Sequence, residues 1–360
     1  MKKVAIIGIQ GVPAKYGGFE TLVENMIGEN TPSDIQYTVF CSSKDYEKQM
    51  KVYKGAVLKY IPFFHANGIQ STPYDIYSLM KVIKGYDTIL VLGVSGCIFL
   101  PFFRMLCHKQ LIINIDGIEH RRAKWGKFAR KFLKYSEAMA IKYADVIIAD
   151  NKGIQDYVKN EYGKETVLIA YGGDHVQQTI SSEQQYDILN HYNLSAGEYA
   201  ITICRIEPEN NCHLILEAFA QSNIPMIFIG NWERSEYGKD LKEKYISHNN
   251  IKILDPIYDL QKLYALRKNC KYYIHGHSAG GTNPSLVEAM FFGVPILAYD
   301  VIYNRETTQK KACYFQNEKD LLKLTQENNT ILQQNAKDML EIANRNYKWE
   351  TIANQYSIYY

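Results

Sequence analysis

Short apolar runs alternate with amphipathic segments along most of this sequence, and this alternation constrains the fold more than any other feature. Residues 4–9 and 89–92, for example, have the length and β-branched character of buried strands, and helical patterns separate most such runs. Strands that alternate with helices form parallel sheets covered on both faces. The sequence therefore predicts an α/β protein built on parallel sheets.

The length of 360 residues is enough for two domains, and 46% hydrophobic with 22% charged residues is enough for two ordinary cores. The alternation lapses between 172 and about 186, where Gly, Gln, Ser and Thr dominate, and it restarts at 199–204. We interpret the lapse as a linker between a domain at 1–175 and one at 176–347. Two such sheets facing each other would leave a ligand cleft at the carboxyl ends of their strands.

The net charge of +3 hides an uneven distribution of basic residues. Residues 1–180 contain 23 Lys and Arg against 17 Asp and Glu, and residues 104–142 contain ten against three, with Phe128 and Phe132 interleaved. This pattern predicts contact with an anionic membrane surface, although a solvated helix face is the alternative. Nucleic acid is not an expected partner, because no recognised binding module accompanies the basic residues. The membrane or acceptor surface is predicted at Arg121, Arg122, Lys124, Trp125, Lys127, Arg130 and Lys131.

The cysteine and apolar patterns predict a cytoplasmic protein on the inner face of the cell membrane. The seven cysteines are scattered, without C-x-x-C pairs or metal-ligand spacing, and we interpret them as reduced. The apolar run after Lys2 and Lys3 is too short for a signal peptide. The run at 89–103 is shorter than the roughly 20 residues that span a bilayer, so we expect a strand and a short helix, with partial membrane insertion as the alternative.

A first Gly-rich segment, residues 8–20, connects the first predicted strand to a helix with an apolar face. Backbone N–H groups of such a turn and the helix N-terminus suit a phosphate, which places Gly17 and Gly18 among the candidate donor-binding residues. The spacing fits neither G-x-G-x-x-G nor a P-loop, so a nicotinamide cofactor and ATP hydrolysis are disfavoured. Alternatively, the glycines only provide the dihedral angles of a long turn.

A second strand, Gly-rich loop and helix lie at residues 272–290. Pro284 suits the first helical position with Asn283 as the N-cap. Glu288, one turn inside the helix, would accept hydrogen bonds from vicinal hydroxyls such as those of ribose, unless it is a solvated acid of the helix surface. The anion-binding loop is predicted at Gly280, Gly281, Thr282 and Asn283.

Polar residues at two further strand ends are candidates for catalysis. Arg205 would clamp a diphosphate, although a lone Arg at a strand end is more often a surface residue. Asp116 and His120 follow the run at 111–115 and would orient or deprotonate an acceptor hydroxyl. A structural role for His120 is the alternative.

Together these segments resemble the family 4 glycosyltransferases of GT-B fold over nearly the whole chain. The resemblance implies two facing Rossmann-like domains, an N-terminal acceptor domain and a C-terminal nucleotide-sugar domain, with a helix at 348–360 crossing back to the first domain. It places Arg205 at the diphosphate-binding Arg and Glu288 at the ribose-binding second Glu of the E-x7-E motif. Two positions depart from the family: Gly280 replaces the first Glu of that motif, and Asn210 replaces the Lys of R-x-x-x-x-K.

The opening segment and the residues around Glu288 resemble a narrower branch, the bacterial capsule and cell-wall rhamnosyltransferase-like enzymes. This implies a retaining hexosyltransferase that moves L-rhamnose from dTDP-rhamnose to a polyprenyl-linked or glycan acceptor in surface polysaccharide synthesis. No cofactor is implied, and no metal is expected, because the sequence contains no Asp-x-Asp cluster. A same-fold sugar-nucleotide epimerase or hydrolase, and a non-catalytic nucleotide-sugar-binding subunit, remain alternatives.

Overall fold

The computed structural model describes residues 1–15, 17–66, 68–122 and 125–360, and these form two compact units. The first unit comprises Met1–Tyr171 and Trp349–Tyr360, and the second comprises Gly172–Lys348. The residues that follow Tyr171 begin the second unit rather than a separate linker.

The described part of the first unit contains one eight-stranded sheet. Its strands are Lys2–Ile7 (β1), Ile35–Ser42 (β2), Val52–Tyr53 (β3), Ala56–Ile61 (β4), Thr88–Leu92 (β5), Gln110–Asn114 (β6), Val146–Ala149 (β7) and Val167–Leu168 (β8). The spatial order is β3-β4-β2-β1-β5-β6-β7-β8, and only β3 and β4 pair antiparallel. Every residue of β5 is buried, as expected for a central parallel strand.

Helices of the first unit include one from the far end of the chain. They are Gly18–Met26 (α1), Ser71–Lys81 (α2), Leu100–Leu106 (α3), Lys127–Tyr143 (α4), Lys152–Tyr162 (α5) and Trp349–Ser357, which is numbered α14 in chain order. Trp349, Ile352 and Tyr356 of α14 are buried in the same core as Val23 of α1. Two hydrogen bonds fix this end of the chain: Lys2 Nζ donates to the Tyr360 carbonyl at 2.6 Å, and Asn114 Nδ2 donates to the Tyr356 hydroxyl at 2.7 Å.

The second unit contains a six-stranded parallel sheet. Its strands are Ala200–Ile203 (β9), Met226–Ile229 (β10), Ile251–Leu254 (β11), Tyr272–His275 (β12), Ile296–Tyr299 (β13) and Cys313–Phe315 (β14), in the order β11-β10-β9-β12-β13-β14. Its helices are Ser182–His191 (α6), Cys212–Ala220 (α7), Glu236–Tyr245 (α8), Leu260–Lys268 (α9), Pro284–Met290 (α10), Ile302–Thr307 (α11), Glu318–Thr325 (α12) and Asn329–Asn346 (α13). The predicted α/β class with two mostly parallel, Rossmann-like sheets is confirmed.

The linker prediction at 172–186 is wrong in its second half. Helix α6 begins at Ser182, and its cap is Ser181, whose hydroxyl accepts from the Gln184 N–H while the Gln184 side chain accepts from the Ser181 N–H. This reciprocal capping box satisfies two backbone donors and starts a helix in a polar stretch.

The apolar run at 89–103 forms β5, a turn, a 3-10 segment and the start of α3, as the strand-and-helix interpretation predicted. Helix α3 has seven residues. None of the helices in the described part of the chain has both the length and the apolar character needed to cross a bilayer.

Candidate functional site

Two loops of the second unit leave the carboxyl ends of neighbouring strands and are tied to each other. Strands β9 and β12 pair in parallel, so the loop with Arg205 and the loop with Gly280 start at the same edge of the sheet. The Ser278 N–H and hydroxyl both donate to the Glu209 carbonyl at 2.8 Å. Gly276 lies so close to the other loop that a Cβ there would be 2.1 Å from the Asn210 carbonyl oxygen. The two predicted donor-binding loops of the second unit, after β9 and β12, are therefore brought together by the fold.

Asn210, which stands where the family has a Lys, is a buried link within this pair of loops. Its Nδ2 donates to the Arg205 carbonyl at 2.7 Å, and its Oδ1 lies 2.9 Å from Nδ1 of His277. Asn211 adds a bond from its Nδ2 to the Gly276 carbonyl at 2.8 Å. The Asn210 side chain thus connects the two loops by hydrogen bonds and supplies no positive charge.

The Arg205 side chain is 36% exposed and reachable from solvent, with Nη1 3.7 Å from Glu207 Oε2. At that distance and exposure the ion pair is weak, so the Arg205 guanidinium can leave Glu207 and bind a ligand. His275, at the end of β12, adds no charge, because burial lowers its pKa to about 3 and keeps the ring neutral at physiological pH. His275 therefore adds no positive charge to that of Arg205.

The loop from β12 enters α10 with the predicted capping. Asn283 is the N-cap and its Oδ1 accepts from the Ser285 N–H at 3.0 Å, while Pro284 occupies the first helical position. Gly280 has φ +102°, a conformation that glycine adopts without strain. Gly281 and Thr282, the other predicted members of this loop, are buried.

Glu288 is not the solvated helix-surface acid that was the alternative. Its side chain is 15% exposed, and its Oε2 accepts a hydrogen bond from Arg267 Nη2 at 2.5 Å. His175 Nε2 lies 3.6 Å from the other oxygen, Oε1. The sequence pattern missed both partners, because neither stands at a spacing from Glu288 that a single helix or loop would bring together.

The Gly-rich segment of the first unit folds back on α1, which changes the phosphate-site interpretation. Glu20 Oε1 accepts from the Gln10 N–H at 2.9 Å, and Glu24 Oε2 accepts from the Ala14 N–H at 3.0 Å. The prediction that these turn N–H groups are available to a phosphate is wrong for Gln10 and Ala14, because carboxylates of the following helix occupy them.

Gly17 and Gly18 open α1 in this segment. Gly17 is the N-cap of α1 with φ +121°, and a Cβ there would lie 2.0 Å from Glu20 Oε2. Gly17 is therefore required by both dihedral angle and space. Burial raises the pKa of the Glu20 carboxyl, against the opposing effect of the Gln10 hydrogen bond.

Asp116 and His120 both follow β6, but their surroundings differ. Asp116 has φ +60° and is partly buried, and its backbone N–H donates a hydrogen bond to Asn114 Oδ1 at 3.0 Å. His120 Nδ1 lies 3.3 Å from Oε2 of the buried Glu137, whose Oε1 accepts from the Tyr157 and Tyr162 hydroxyls at 2.7 Å. This network favours the structural alternative for His120 and leaves Asp116 as the candidate for orienting the acceptor hydroxyl.

The predicted membrane surface divides into engaged and exposed residues. The Arg121 guanidinium lies 4.8 Å from the centre of the Tyr157 ring, Arg122 Nε lies 3.1 Å from Glu119 Oε2, and Trp125 Nε1 donates to Glu119 Oε1 at 2.9 Å. Lys124 lies outside the described residues. Arg121 is exposed despite its contact with Tyr157, as are Lys127, Arg130 and Lys131 at the start of α4, and Arg130 Nη2 donates to the Arg122 carbonyl at 3.3 Å.

Exposed apolar side chains also lie on helices α3 and α4, which pack against each other. Phe128 of α4 is 92% exposed, and the exposed residues of α3 are Phe102, Met105 and Leu106. The exposure of these α3 residues was not predicted, because a continuous apolar run does not reveal which of its members face solvent.

In the described ranges, no cluster of three or more His, Cys, Asp or Glu side chains is arranged to hold a metal ion.

Two family matches divide the chain much as the structure does. Residues 1–174 match "Domain of unknown function (DUF1972)", and residues 187–348 match "Glycosyl transferases group 1". Protein CapJ of Staphylococcus aureus is 27% identical over 209 residues, which are 56% of this chain and 50% of that protein. The chain therefore spans about half the length of this curated relative.

Solved structures share the fold over nearly the whole chain. Sucrose-phosphate synthase from Thermosynechococcus elongatus superposes with a TM-score of 0.81 at 15% identity, covering 99% of this chain and 98% of that one. Alr3699/HepE from Anabaena, in complex with UDP-glucose, has a TM-score of 0.75 at 15% identity and the same coverage. At these identities the likeness establishes the fold, which is GT-B.

Proposed function

We propose that this chain, whose residues 187–348 match the group 1 glycosyl transferases, transfers a sugar from a nucleoside diphosphate to an acceptor hydroxyl, with retention of anomeric configuration. The observation that carries the proposal is the shared edge of β9 and β12, where the Arg205 loop and the loop leading into α10 are hydrogen-bonded to each other. Ligands of open parallel sheets bind at such an edge.

Each group at this edge has a part in donor binding. Glu288 accepts hydrogen bonds from sugar hydroxyls of the nucleoside, backbone N–H groups of residues 281–283 face the phosphates, and Arg205 holds the diphosphate. The structural relative HepE binds UDP-glucose, which supports a nucleotide-sugar donor for this chain. A uridine donor offers Glu288 two ribose hydroxyls, whereas a thymidine donor such as dTDP-rhamnose offers one.

The reaction needs no nucleophile from the protein. The bond between the anomeric carbon and the diphosphate oxygen breaks, the acceptor oxygen bonds to the same face of that carbon, and the acceptor proton passes to the departing phosphate oxygen. Arg205 stabilises the charge that develops on the diphosphate, and such preorganised electrostatic stabilisation is usually the largest contribution to catalysis. Asp116, at the carboxyl end of β6, orients the acceptor hydroxyl. No metal takes part in this proposal.

We further propose that L-rhamnose is the transferred sugar and that the acceptor is a polyprenyl-linked sugar or a glycan of surface polysaccharide. Support comes from the resemblance of the opening segment and of the residues around Glu288 to the rhamnosyltransferase-like branch. The exposed basic residues of α4 and the exposed apolar residues of α3 support docking on the cytoplasmic membrane surface, where a polyprenyl-linked acceptor would lie.

One assay separates the proposal from its two alternatives. The purified protein is incubated with UDP-, dTDP- and GDP-sugars, with and without a polyprenyl-diphosphate sugar. Glycosylated acceptor supports the transferase. Donor conversion without acceptor indicates the epimerase or hydrolase, and binding without turnover indicates a non-catalytic subunit.

A further inference from the structure

Arg267 is a buried cation whose partner is Glu288. It lies near the end of α9, its side chain is 4% exposed, and its Nη2 donates to Glu288 Oε2 at 2.5 Å. The guanidinium also packs against the Phe292 ring, 5.8 Å from the ring centre. An arginine is almost never buried without a partner, so this pairing is a specific feature of the fold.

The pairing leaves one side of the carboxylate to another ligand. A buried Arg–carboxylate pair is typically bidentate, but here Nη2 contacts one oxygen and the buried Nε has no hydrogen-bond partner. His175 Nε2 lies 3.6 Å from the second oxygen, Oε1, beyond hydrogen-bonding distance. Oε2 is thus fixed by the guanidinium, while Oε1 keeps capacity to accept from a ligand hydroxyl.

A second element holds α10 from another side. The segment that enters the second unit packs so closely on this helix that a Cβ on Gly173 would lie 3.0 Å from the Glu288 backbone nitrogen. The Gly173 N–H donates to the Tyr347 carbonyl at 2.8 Å, and Gln177 Nε2 donates to the Phe291 carbonyl at 2.9 Å. Helix α10 cannot shift without disturbing its contacts with Gly173 and Gln177.

We propose that Arg267 is a positioning residue for the nucleoside: by holding Oε2 it fixes the rotamer and compensates the charge of Glu288, so that Oε1 meets the ribose hydroxyls. This inference rests on the proposed function, since it assumes the ribose contact of Glu288. A partly buried carboxylate without its cation would turn toward solvent or another donor, and the hydroxyls would lose a charged acceptor.

The test measures recognition of the ribose hydroxyls, which a merely structural ion pair would not affect. Calorimetric titration gives Kd for UDP and for its 2′,3′-dideoxy analogue; if the protein binds only thymidine nucleotides, dTDP and 3′-deoxythymidine diphosphate replace them. We expect wild type to bind the hydroxylated nucleotide at least about tenfold more tightly than the analogue that lacks the hydroxyls. The ratio of these two affinities is the quantity compared between variants. In Arg267→Met this ratio falls to between one and two, because affinity for the hydroxylated nucleotide alone is lost. Arg267→Lys, which keeps the charge, restores part of the ratio.

Two reference variants complete the design. Glu288→Gln should lose the ratio as Arg267→Met does. Asn250→Ala removes the hydrogen bonds that its Nδ2 donates to the Phe219, Ser222 and Ile224 carbonyls, just before β11, so it controls for general destabilisation and should keep the wild-type ratio.

The outcomes separate the inference from the function on which it rests. A wild-type ratio in folded Arg267→Met, together with a lost ratio in Glu288→Gln, overturns the positioning role and leaves the donor site intact. A wild-type ratio in both variants overturns the ribose contact and the inference with it. If Arg267→Met does not fold, a wild-type ratio in Arg267→Lys and in the neutral Arg267→Gln overturns the positioning role.

Discussion

The side-chain amide of Asn210 donates a hydrogen bond to the backbone carbonyl of Arg205 at 2.7 Å. The same amide reaches His277 through its oxygen, so one buried side chain connects the loops after β9 and β12. Because this position holds an amide rather than a Lys ammonium, the diphosphate contact that we propose for this loop rests on the Arg205 guanidinium.

Replacing Arg205 by Ala should therefore slow sugar transfer by about 10²-fold or more, since the charge on the leaving diphosphate loses its main stabilisation. The measurement is kcat/KM under initial-rate conditions with saturating acceptor. Arg345→Ala, which removes an exposed arginine paired within α13, is the matched control and should have wild-type kinetics. Near-normal turnover in Arg205→Ala would remove this residue from the mechanism.

Gly17→Ala should push the Glu20 carboxylate from its place, because the new Cβ would lie 2.0 Å from Oε2. We expect a loss of about 1–3 kcal/mol in the free energy of unfolding, from steric conflict and from strain at φ +121°. Urea unfolding of Gly17→Ala, Glu20→Ala and the double variant measures the coupling.

Gly55→Ala separates strain from the steric conflict, because Gly55 also has positive φ, +79°, but open space around a Cβ. It should cost less than Gly17→Ala. Additive losses in the double variant would show that Gly17 and Glu20 act independently.

Asp75 predicts a pH dependence of stability. It is buried in α2, accepts a hydrogen bond from the Ser95 hydroxyl, and burial raises its pKa to about 7 from 3.8. The folded state then binds the proton more tightly than the unfolded state, so the free energy of unfolding falls as pH rises from about 4 to about 7 and the loss is constant above that. At 1.36 kcal/mol per pKa unit the loss is at most ~4 kcal/mol.

Asp75→Asn should lack this contribution. Urea unfolding at pH 5 and pH 8 should show wild type losing stability relative to the variant by roughly 2–3 kcal/mol. Asp156→Asn, at an exposed pair with Lys152, is the control and should follow wild type. Parallel behaviour of wild type and Asp75→Asn across this range would contradict the raised pKa.

Neutralising the exposed basic residues of α4 should release the protein from membranes. The triple variant Lys127→Gln, Arg130→Gln and Lys131→Gln is expected to bind phosphatidylglycerol vesicles about 10²-fold more weakly at physiological salt, at about 1 kcal/mol per charge. Cosedimentation with vesicles measures it.

The matched control removes three exposed lysines of the second unit, Lys319, Lys323 and Lys337, and should bind as wild type does. If the α4 variant and the control bind the vesicles equally well, the basic residues of α4 form only a solvated helix face.

Local patterns were enough to predict the parts of the fold that depend on neighbours in sequence. The apolar runs at 4–9 and 89–92, predicted as strands, overlap β1 and β5. The capping of α10 by Asn283 and Pro284 was also readable, because both act on the adjacent turn.

What the sequence could not predict depends on contacts across the chain. Arg267 reaches Glu288 from another helix, and the carboxylates of Glu20 and Glu24 reach loop N–H groups ten residues earlier. Helix α6 was missed for a different reason: a polar composition outweighed the Ser181 and Gln184 capping box in the interpretation of that stretch.

The central claim, retaining sugar transfer from a nucleoside diphosphate, is tested most directly by following one reaction with NMR. The purified protein is mixed with a donor labelled with ¹³C at the anomeric carbon, in the presence and absence of the polyprenyl-diphosphate sugar. We expect the donor signal to be replaced, only when acceptor is present, by a glycoside signal of the same anomeric configuration, with one equivalent of nucleoside diphosphate released. Inversion of that configuration, or consumption of donor at the same rate without acceptor, would contradict it.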